Sequence, residues 1–310
     1  MRLTPSTKRS RSKLPFTRGE SHLPFTRGES HLPFTWGVPA LLWQVIFFYI
    51  PLAFITLSGF IKISELGAFD GFTLKNFTLF FTPTYLKVTL ASLLMALTNA
   101  LICFAIAFPL AYYIAFTGRK YKNSLLFFLI VPFWTNFLLH VYAWFYVLEK
   151  HGFINTLLMK LGLIAEPLNM LNSLFAIMIM MVYYYLPFMV LPIYSSLERF
   201  NETLLEASYD LGGNFFTTFR KIMLPLTSRG IRSGFFLVLI PSFGEFAIPE
   251  LMGGDKKMFV GTVISQYILG EGTGSLGAAF TLLSGLILLI VVVGLNFFLT
   301  SILKPRMQNG

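Results

Sequence analysis

The sequence has little charge and almost no cysteine. Only 12% of its 310 residues are charged, which is half of the roughly 25% usual in soluble domains. The single cysteine, Cys103, excludes a disulfide within the chain. Apolar residues are abundant instead: 55% are hydrophobic, and phenylalanine alone supplies 35. Because such a chain cannot bury its apolar surface in one water-soluble core, the composition predicts an integral membrane protein.

Signatures of catalysis are also missing. The sequence contains no GxSxG or HExxH motif, no pair of catalytic acids and no phosphate-binding loop. His140 and His151 stand apart from other metal-ligating residues. We therefore expect no catalytic residue, no cofactor and no metal site, and the chain alone should not hydrolyse ATP.

Residues 1–37 differ from the rest of the chain. The nine-residue unit LPFTRGESH occurs at 14–22 and 23–31, and a third copy begins at Leu32. Nine residues are too few for a solenoid repeat, and a proline and a glycine in each copy exclude a continuous helix. We predict a disordered basic tail. It is no signal peptide, because the apolar run that follows is too long and lacks a small-residue cleavage site.

Six long apolar segments follow, each near the 20 or so residues that a membrane-spanning helix needs. They lie at 38–60, 88–116, 124–148, 173–197, 231–252 and 276–302. Internal prolines in several of them predict kinks, which membrane helices tolerate when neighbours satisfy the freed carbonyls. The predicted fold is an all-α membrane protein with six transmembrane helices in a domain spanning 38–303, followed by a cytoplasmic tail at 304–310.

The distribution of positive charge orients these helices. One side of the membrane would carry both termini, the 117–123 and 198–230 loops and Arg232 at the edge of the fifth segment, with 17 of the 24 lysines and arginines. Lysine and arginine are enriched in cytoplasmic loops, so we predict that both termini lie in the cytoplasm. The formal net charge of +10 then reflects topology and contact with membrane lipid, and no nucleic-acid partner is expected.

The longest predicted cytoplasmic loop, residues 198–230, reads as two short helices. An amphipathic helix at 204–211 places Glu206 and Asp210 on one face, since residues four apart are neighbours. Gly212 and Gly213 should end it. A second helix at 215–223 would be closed by Leu224 and Pro225.

This loop resembles the EAA motif of type I ABC importer permeases, which have the MetI-like fold. The matching residues, at the family's spacing, are Glu206-Ala207-Ser208, Gly212, Ile222 and Leu224-Pro225. Ser208 departs from the family's alanine but is also small. The resemblance implies a coupling helix between helices 4 and 5 that sits in a groove of a separate ATPase. It further implies a location in the bacterial inner membrane, and as partners an ATPase dimer, a second, different permease chain and an extracytoplasmic substrate-binding protein. Without the motif, Glu206 would merely cap and solubilise a surface helix.

A narrower resemblance extends from residue 38 to the C-terminus. The segments 130–136 (IVPFWTN), 186–197, 206–213 and 241–254 are similar to those of spermidine/putrescine permeases of the PotB and PotH type. The resemblance implies polyamines as cargo. It does not separate spermidine from putrescine, and the N-terminal repeat has no counterpart in it.

The residues of the predicted helices suit a polycation. Ammonium groups favour carboxylates and aromatic faces, and an acid at membrane depth normally faces a cavity or a partner. We hypothesise that the substrate path is lined by Glu245, Glu250, Trp134, Tyr142 and Tyr184. Alternatives remain for each: a structural ion pair or helix end for Glu245, and bundle packing or an interfacial belt for the aromatic residues.

Other transport functions stay open at this point. An ABC permease for iron, thiamine, sulfate or another small solute would share the same loop. A secondary transporter would need coupling-ion residues or a repeat relating two halves of the membrane region, and the sequence shows no such repeat.

Overall fold

The computed structural model describes residues 37–63, 69–254, 258–270 and 273–303. The tails predicted for 1–37 and 304–310 lie outside these residues, except for Gly37. The chain divides into two compact units, Met1–Ile50 and Pro51–Gly310. In the first unit, helix α1 (Val38–Gln44) begins with a proline in its first turn and continues into a π-helical turn, Val45–Tyr49, with exposed side chains throughout.

Helix α2 (Ile50–Ser58) leads to a short antiparallel hairpin. Strand β1 (Ile61–Ile63) pairs with β2 (Phe69–Phe72), with Ile61 opposite Phe72. A 3-10 helix, Lys75–Phe81, follows. The all-α prediction did not include this small sheet, because three or four residues are too few for a strand pattern to stand out from an apolar background.

Helix α3 is the long central element. It runs from Pro83 to Tyr112 and continues through a π-helical turn, Tyr113–Thr117. At 1.5 Å per residue the combined run is about 50 Å long, whereas the hydrocarbon core of a bilayer is about 30 Å thick. An untilted α3 would therefore extend well beyond the hydrocarbon.

The third predicted segment, 124–148, is not one straight helix. Helix α4 (Lys122–Ile130) passes into a 3-10 turn, Val131–Trp134, and α5 (Phe137–Leu148) then starts in a new direction, with a bend of 97°. The 3-10 turn contains Pro132, which cannot donate a helical hydrogen bond. The side chain of Asn136 caps α5 by accepting from the Leu138 N–H at 2.8 Å.

The fifth predicted segment, 231–252, is also interrupted. Helix α11 ends at Phe243, and a separate short helix begins at Ala247. Helices also occupy parts of the 149–172 and 253–275 regions, where only loops were expected. In chain order the remaining helices are α6 (Phe153–Lys160), α7 (Leu174–Glu198), α8 (Thr203–Asp210), α9 (Phe215–Thr218), α10 (Leu224–Leu226), α11 (Ser228–Phe243), α12 (Ala247–Gly253), α13 (Val260–Leu269) and α14 (Gly274–Leu303).

The core of the second unit is formed where α3, α7 and α11 pack against one another. Buried polar bonds fasten α3 to two other helices: Asn99 donates to the Ser242 hydroxyl of α11 at 2.8 Å, and the Val260 N–H at the start of α13 donates to the Ser92 hydroxyl at 2.8 Å. The Asn99 and Ser92 side chains are fully buried. Satisfied hydrogen bonds are what make buried polar groups tolerable in an apolar core.

Two glycines allow α11 to approach α7 closely. A Cβ at Gly230 would lie 2.3 Å from the Pro192 carbonyl oxygen, and one at Gly234 would lie 3.0 Å from the Met189 carbonyl oxygen. Glycines four apart are a recognised signal for close helix packing in membranes. The sequence therefore contained this signal, although the predictions above did not use it.

Four helical runs in the described residues are long and apolar enough to cross a membrane: Val38–Ser58, Pro83–Thr117, Leu174–Glu198 and Gly274–Leu303. The number reaches six if two bent pairs each count as one span, namely Arg119–Trp134 with Phe137–Lys160 and Phe215–Leu226 with Ser228–Phe243. The mostly helical membrane architecture is thus present, while the count of six spans stays a prediction.

Candidate functional site

The first candidate site is the 198–230 loop, which connects α7 to α11. Its first helix, α8, follows a turn in which the Asn201 side chain accepts from the Thr203 N–H at 3.1 Å. Glu206, Ala207 and Asp210 are all exposed on this helix. Within the described part of the chain, neither acid forms a side-chain hydrogen bond or ion pair. Both carboxylates are therefore available to a partner.

A glycine turn ends α8 where the sequence predicted it. Gly212 has φ +79°, a left-handed conformation that favours glycine. The Gly213 N–H donates to the Ser208 carbonyl oxygen at 2.8 Å. A Cβ at Gly213 would come within 2.7 Å of that same oxygen, so the second glycine is required for space as the first is for conformation.

Ser208, the departure from the family motif, links the two helices of the loop. Its hydroxyl lies 2.8 Å from the hydroxyl of Thr218, which is fully buried in α9. The Asn214 side chain caps α9 by accepting from the Thr217 N–H at 2.8 Å. Serine thus does more at this position than fill the space of an alanine.

Replacing Ser208 with alanine should weaken the loop, because the buried Thr218 hydroxyl loses its partner. We expect a cost of about 1 kcal/mol, measured as a lower thermal midpoint of the purified protein in detergent. The double variant Ser208→Ala/Thr218→Val removes both hydroxyls and should recover most of the loss. Equal destabilisation by the single and double variants would contradict this account.

The second helix of the loop ends within one residue of the predicted Leu224-Pro225. Residues Phe219–Met223, including the half-buried Ile222, form a π-helical turn in which the Leu224 N–H donates to the Phe219 carbonyl. The helix then passes through α10 to its end at Leu226, and the chain bends by 74° into α11. A proline lacks an N–H and clashes with the carbonyl four residues back. The wider π turn just before Pro225 accommodates it in the last turn of the helix.

Three aromatic side chains contact the loop from α3 and the π-helical turn that continues it, and we call them the aromatic row: Phe108, Tyr112 and Phe116. They are four residues apart, so they share one face of the helix. Their loop partners are Phe219, Phe215 and Phe200 respectively, with ring centroids 4.9, 6.4 and 6.3 Å apart, and all three pairs are close to perpendicular. Edge-to-face geometry of this kind is favourable for aromatic pairs.

Two ion pairs join the same loop to the turn after α3. Arg119 Nη1 lies 2.7 Å from Glu202 Oε1, and Lys122 Nζ lies 2.9 Å from Glu198 Oε1. Tyr194 also donates its hydroxyl to Glu198 at 2.7 Å. The side chains in both ion pairs are substantially exposed, which limits what each contributes to stability to about 0–1 kcal/mol.

The second candidate site is a cavity of about 720 Å³ between α5, α7, α11 and the start of α12. Its walls are aromatic and aliphatic, and Glu245 is the only charged residue among them. The lining consists of Phe137, Tyr184, Tyr185, Phe188, Phe236, Leu237, Ile240, Pro241, Glu245, Phe246 and Ala247. Tyr184 and Tyr185 lie near the middle of α7, far from both ends of that helix.

The Glu245 carboxylate connects two helices at this cavity. One oxygen accepts the Tyr185 hydroxyl at 2.7 Å, and the other accepts the backbone N–H of Ala247 at 3.1 Å, where α12 begins. Among the described residues no lysine or arginine pairs with it. A structural ion pair was one alternative for Glu245, and the structure gives it instead a helix-capping contact at a cavity wall.

The structure brings together only part of the hypothesised substrate path. Glu245 and Tyr184 line the cavity, and Trp134, Tyr142 and Glu250 do not. Trp134 is 77% exposed and packs edge-on against Phe127, while Tyr142 is 51% exposed. Glu250 is exposed in the first turn of α12.

Several cavity residues were missed by sequence reasoning. The phenylalanines at 137, 188, 236 and 246 carry no motif that sets them apart in a chain with 35 phenylalanines, whereas Tyr185 belongs to the run Tyr183-Tyr184-Tyr185, of which only Tyr184 was chosen. No group of three or more histidines, cysteines or acids that could hold a metal occurs among the described residues.

Comparison with known proteins gives consistent results. A family model described as "Binding-protein-dependent transport system inner membrane component" matches residues 107–309. The spermidine/putrescine transport system permease protein PotB of Escherichia coli (strain K12) is 39% identical over 253 residues, covering 80% of this chain and 92% of that protein. PotB of Haemophilus influenzae is 38% identical over 258 residues, covering 81% of this chain and 88% of the relative.

Solved structures agree on the fold. A bacterial alginate ABC transporter, crystallised in complex with an alginate pentasaccharide-bound periplasmic protein, superposes with a TM-score of 0.66. The match covers 90% of this chain and 96% of the other, at 16% sequence identity. At that identity the likeness concerns the fold alone.

Proposed function

We propose, from the premise that this chain belongs to the family of binding-protein-dependent transport system inner membrane components, that it is the permease subunit of a polyamine importer. Its relatives include spermidine/putrescine permeases of ABC transporters. The observation that carries the cargo assignment is the Glu245 carboxylate in a cavity whose other walls are uncharged.

The chemistry of that cavity favours a cationic amine. A carboxylate in apolar surroundings is costly unless a positive charge or hydrogen bonds compensate it, and Glu245 has only neutral donors among the described residues. An ammonium group would supply the missing charge, and the aromatic rings of Tyr184 and Phe188 would offer faces for cation–π contact. The methylene chain of a polyamine suits the remaining apolar walls.

The charge of the lining matters because the fold does not select a cargo. A bacterial ABC transporter of similar fold is involved in the import of the acidic polysaccharide alginate. Alginate is opposite in charge to a polyamine. An anion such as sulfate would face the Glu245 carboxylate with no arginine or lysine among the lining residues. Anionic cargo is therefore disfavoured for this cavity.

The 198–230 loop supports coupling to a separate ATPase subunit. The acids Glu206 and Asp210 and the apolar residues Leu211 and Phe216 are all exposed on this loop. Such a surface is suited to binding in a groove of a partner protein. In this proposal two ATPases close on ATP, and the loop transfers their movement to the helices. A second permease chain and an extracytoplasmic binding protein complete the importer, and both termini lie in the cytoplasm.

Reconstitution of the complete importer tests the proposal. Proteoliposomes containing this chain, the second permease and the ATPase should take up spermidine or putrescine when ATP and the loaded binding protein are both present. Uptake of iron, thiamine or sulfate in place of polyamines would replace the cargo assignment. Uptake without any ATPase subunit would support a secondary transporter instead.

Reversing the charge of Glu206 should disrupt attachment of the ATPase. For Glu206→Lys we expect at least about a tenfold loss in the amount of ATPase that co-purifies, since a carboxylate that forms charge-assisted hydrogen bonds would be replaced by a cation. The exposed Glu166, far from the loop in sequence, provides the matched control Glu166→Lys. Full retention of the ATPase by Glu206→Lys would leave Glu206 as a solubilising surface residue.

A further inference from the structure

We propose that α3 is the helix that receives the movement of the 198–230 loop, and that the aromatic row transmits it. The row contacts the loop on both sides of α8, at Phe200 before it and at Phe215 and Phe219 after it. A loop held on both sides cannot shift as one body without displacing the end of α3. This inference rests on the proposed function, in which an ATPase moves the loop, and it names the element that responds.

The end of α3 is built to bend without disturbing the core. Pro109 lies within the row, and the Gly118 N–H donates to the Tyr113 carbonyl across a π turn at 2.6 Å. Both features interrupt the regular hydrogen bonds of a helix. Further back, Asn99 fastens α3 to α11 through Ser242. The row therefore lies on a segment that can change its angle while the rest of α3 stays packed.

The loop carries the same kind of irregularity at its own contact. Phe219, which meets Phe108, opens the π turn Phe219–Met223. Phe108 itself is 7% exposed and is packed in the core. Turns of this type inside helices concentrate at functional positions, and here one begins at Phe219 while the other begins five residues after Phe108.

The neighbouring ion pairs are weaker candidates for this role. Arg119–Glu202 and Lys122–Glu198 join the same two elements but involve exposed side chains. Exposed ion pairs are screened by salt and adapt easily to movement. The Phe108 ring, in contrast, is buried and its centroid lies 4.9 Å from that of Phe219, and packed interiors transmit displacement.

The test compares transport per ATP in the reconstituted importer. In Tyr112→Ala/Phe116→Ala we expect spermidine uptake per ATP hydrolysed to fall by about tenfold, because two of the three ring contacts between the row and the loop are removed. Tyr112→Phe keeps the ring and should behave as the unmodified protein. The control is Tyr113→Ala, which removes the same residue type one position along, on an exposed side chain outside the row.

A second readout is independent of cargo. Spin labels at Lys120→Cys and Leu174→Cys report how far the end of α3 moves relative to the start of α7 when ATP binds. The movement should persist with Tyr113→Ala and be lost with the double variant. Unchanged transport per ATP and unchanged movement in the double variant would overturn the proposal, as would loss of the ATPase from its complex, since the row would then serve to fold the loop. If the unmodified importer showed ATP-driven movement of α3 without polyamine uptake, the cargo assignment would be wrong. The proposed transmission of movement through the aromatic row would still stand.

Discussion

Replacing Glu245 with glutamine is expected to raise the KM for spermidine uptake by about tenfold or more, the effect of losing a charge-assisted hydrogen bond to an ammonium group. Glutamine has nearly the same shape, and its carbonyl oxygen can still accept the Ala247 N–H while its amide contacts Tyr185. The protein should therefore fold, and the loss should appear in uptake measured with the reconstituted importer.

Glu250→Gln provides the matched control for this experiment. It is the same substitution, five residues away, on an exposed side chain that does not line the cavity. We expect it to leave KM within about twofold of the unmodified value, since exposed charges are well screened. If Glu245→Gln also left uptake and KM unchanged, Glu245 would be removed from the path and the cargo assignment would lose its main support.

Replacing Gly230 with alanine is expected to cause the largest loss of folded protein. The new Cβ would lie 2.2 Å from the Ser196 hydroxyl oxygen and 2.3 Å from the Pro192 carbonyl oxygen. The serine can rotate, but the carbonyl belongs to the backbone of α7. The two helices would have to separate, and overpacking of this kind costs about 1–3 kcal/mol.

The measurement is the yield and thermal midpoint of monodisperse protein in detergent. Gly285→Ala is the control, because no atom lies within 4 Å of the Cβ that it adds to α14. We expect that control to match the unmodified protein or exceed it slightly, since alanine favours helix more than glycine does. Equal stability of the Gly230 and Gly285 variants would show that α7 and α11 do not pack closely in the membrane.

The elements of the 198–230 loop were readable from sequence because their signals are local. The left-handed conformation of Gly212 and the amphipathic spacing of Glu206 and Asp210 depend on neighbours within one turn. Leu224 and Pro225 lie in the last turn of the second helix, close to the predicted end, whereas the π turn just before them was not predicted.

The cavity was only partly predictable. In a membrane helix nearly every face is apolar, so periodicity does not tell which residues face a cavity and which face lipid. Trp134 and Tyr142 were predicted to line the path because aromatic rings suit a cation. The chain bends by 97° between the runs Arg119–Trp134 and Phe137–Lys160, and both side chains are exposed instead of lining the cavity. Pro132 signalled a kink, but the size of the bend depends on packing. Tyr185 lies 60 residues from Glu245 in sequence, and no local rule connects them.

The single acid in the described lining of the cavity can balance only one positive charge of the cargo. Putrescine and spermidine carry two and three ammonium groups, whereas the described lining of the cavity offers one negative charge, at Glu245. The remaining positive charge would be stranded in a low-dielectric environment, where an isolated ion is strongly disfavoured. In the proposed importer the balancing acid would come from outside this lining, and the second permease chain would be its source. Cargo valence would accordingly be matched by the pair of permeases together, so that exchanging one partner could change which amine is carried.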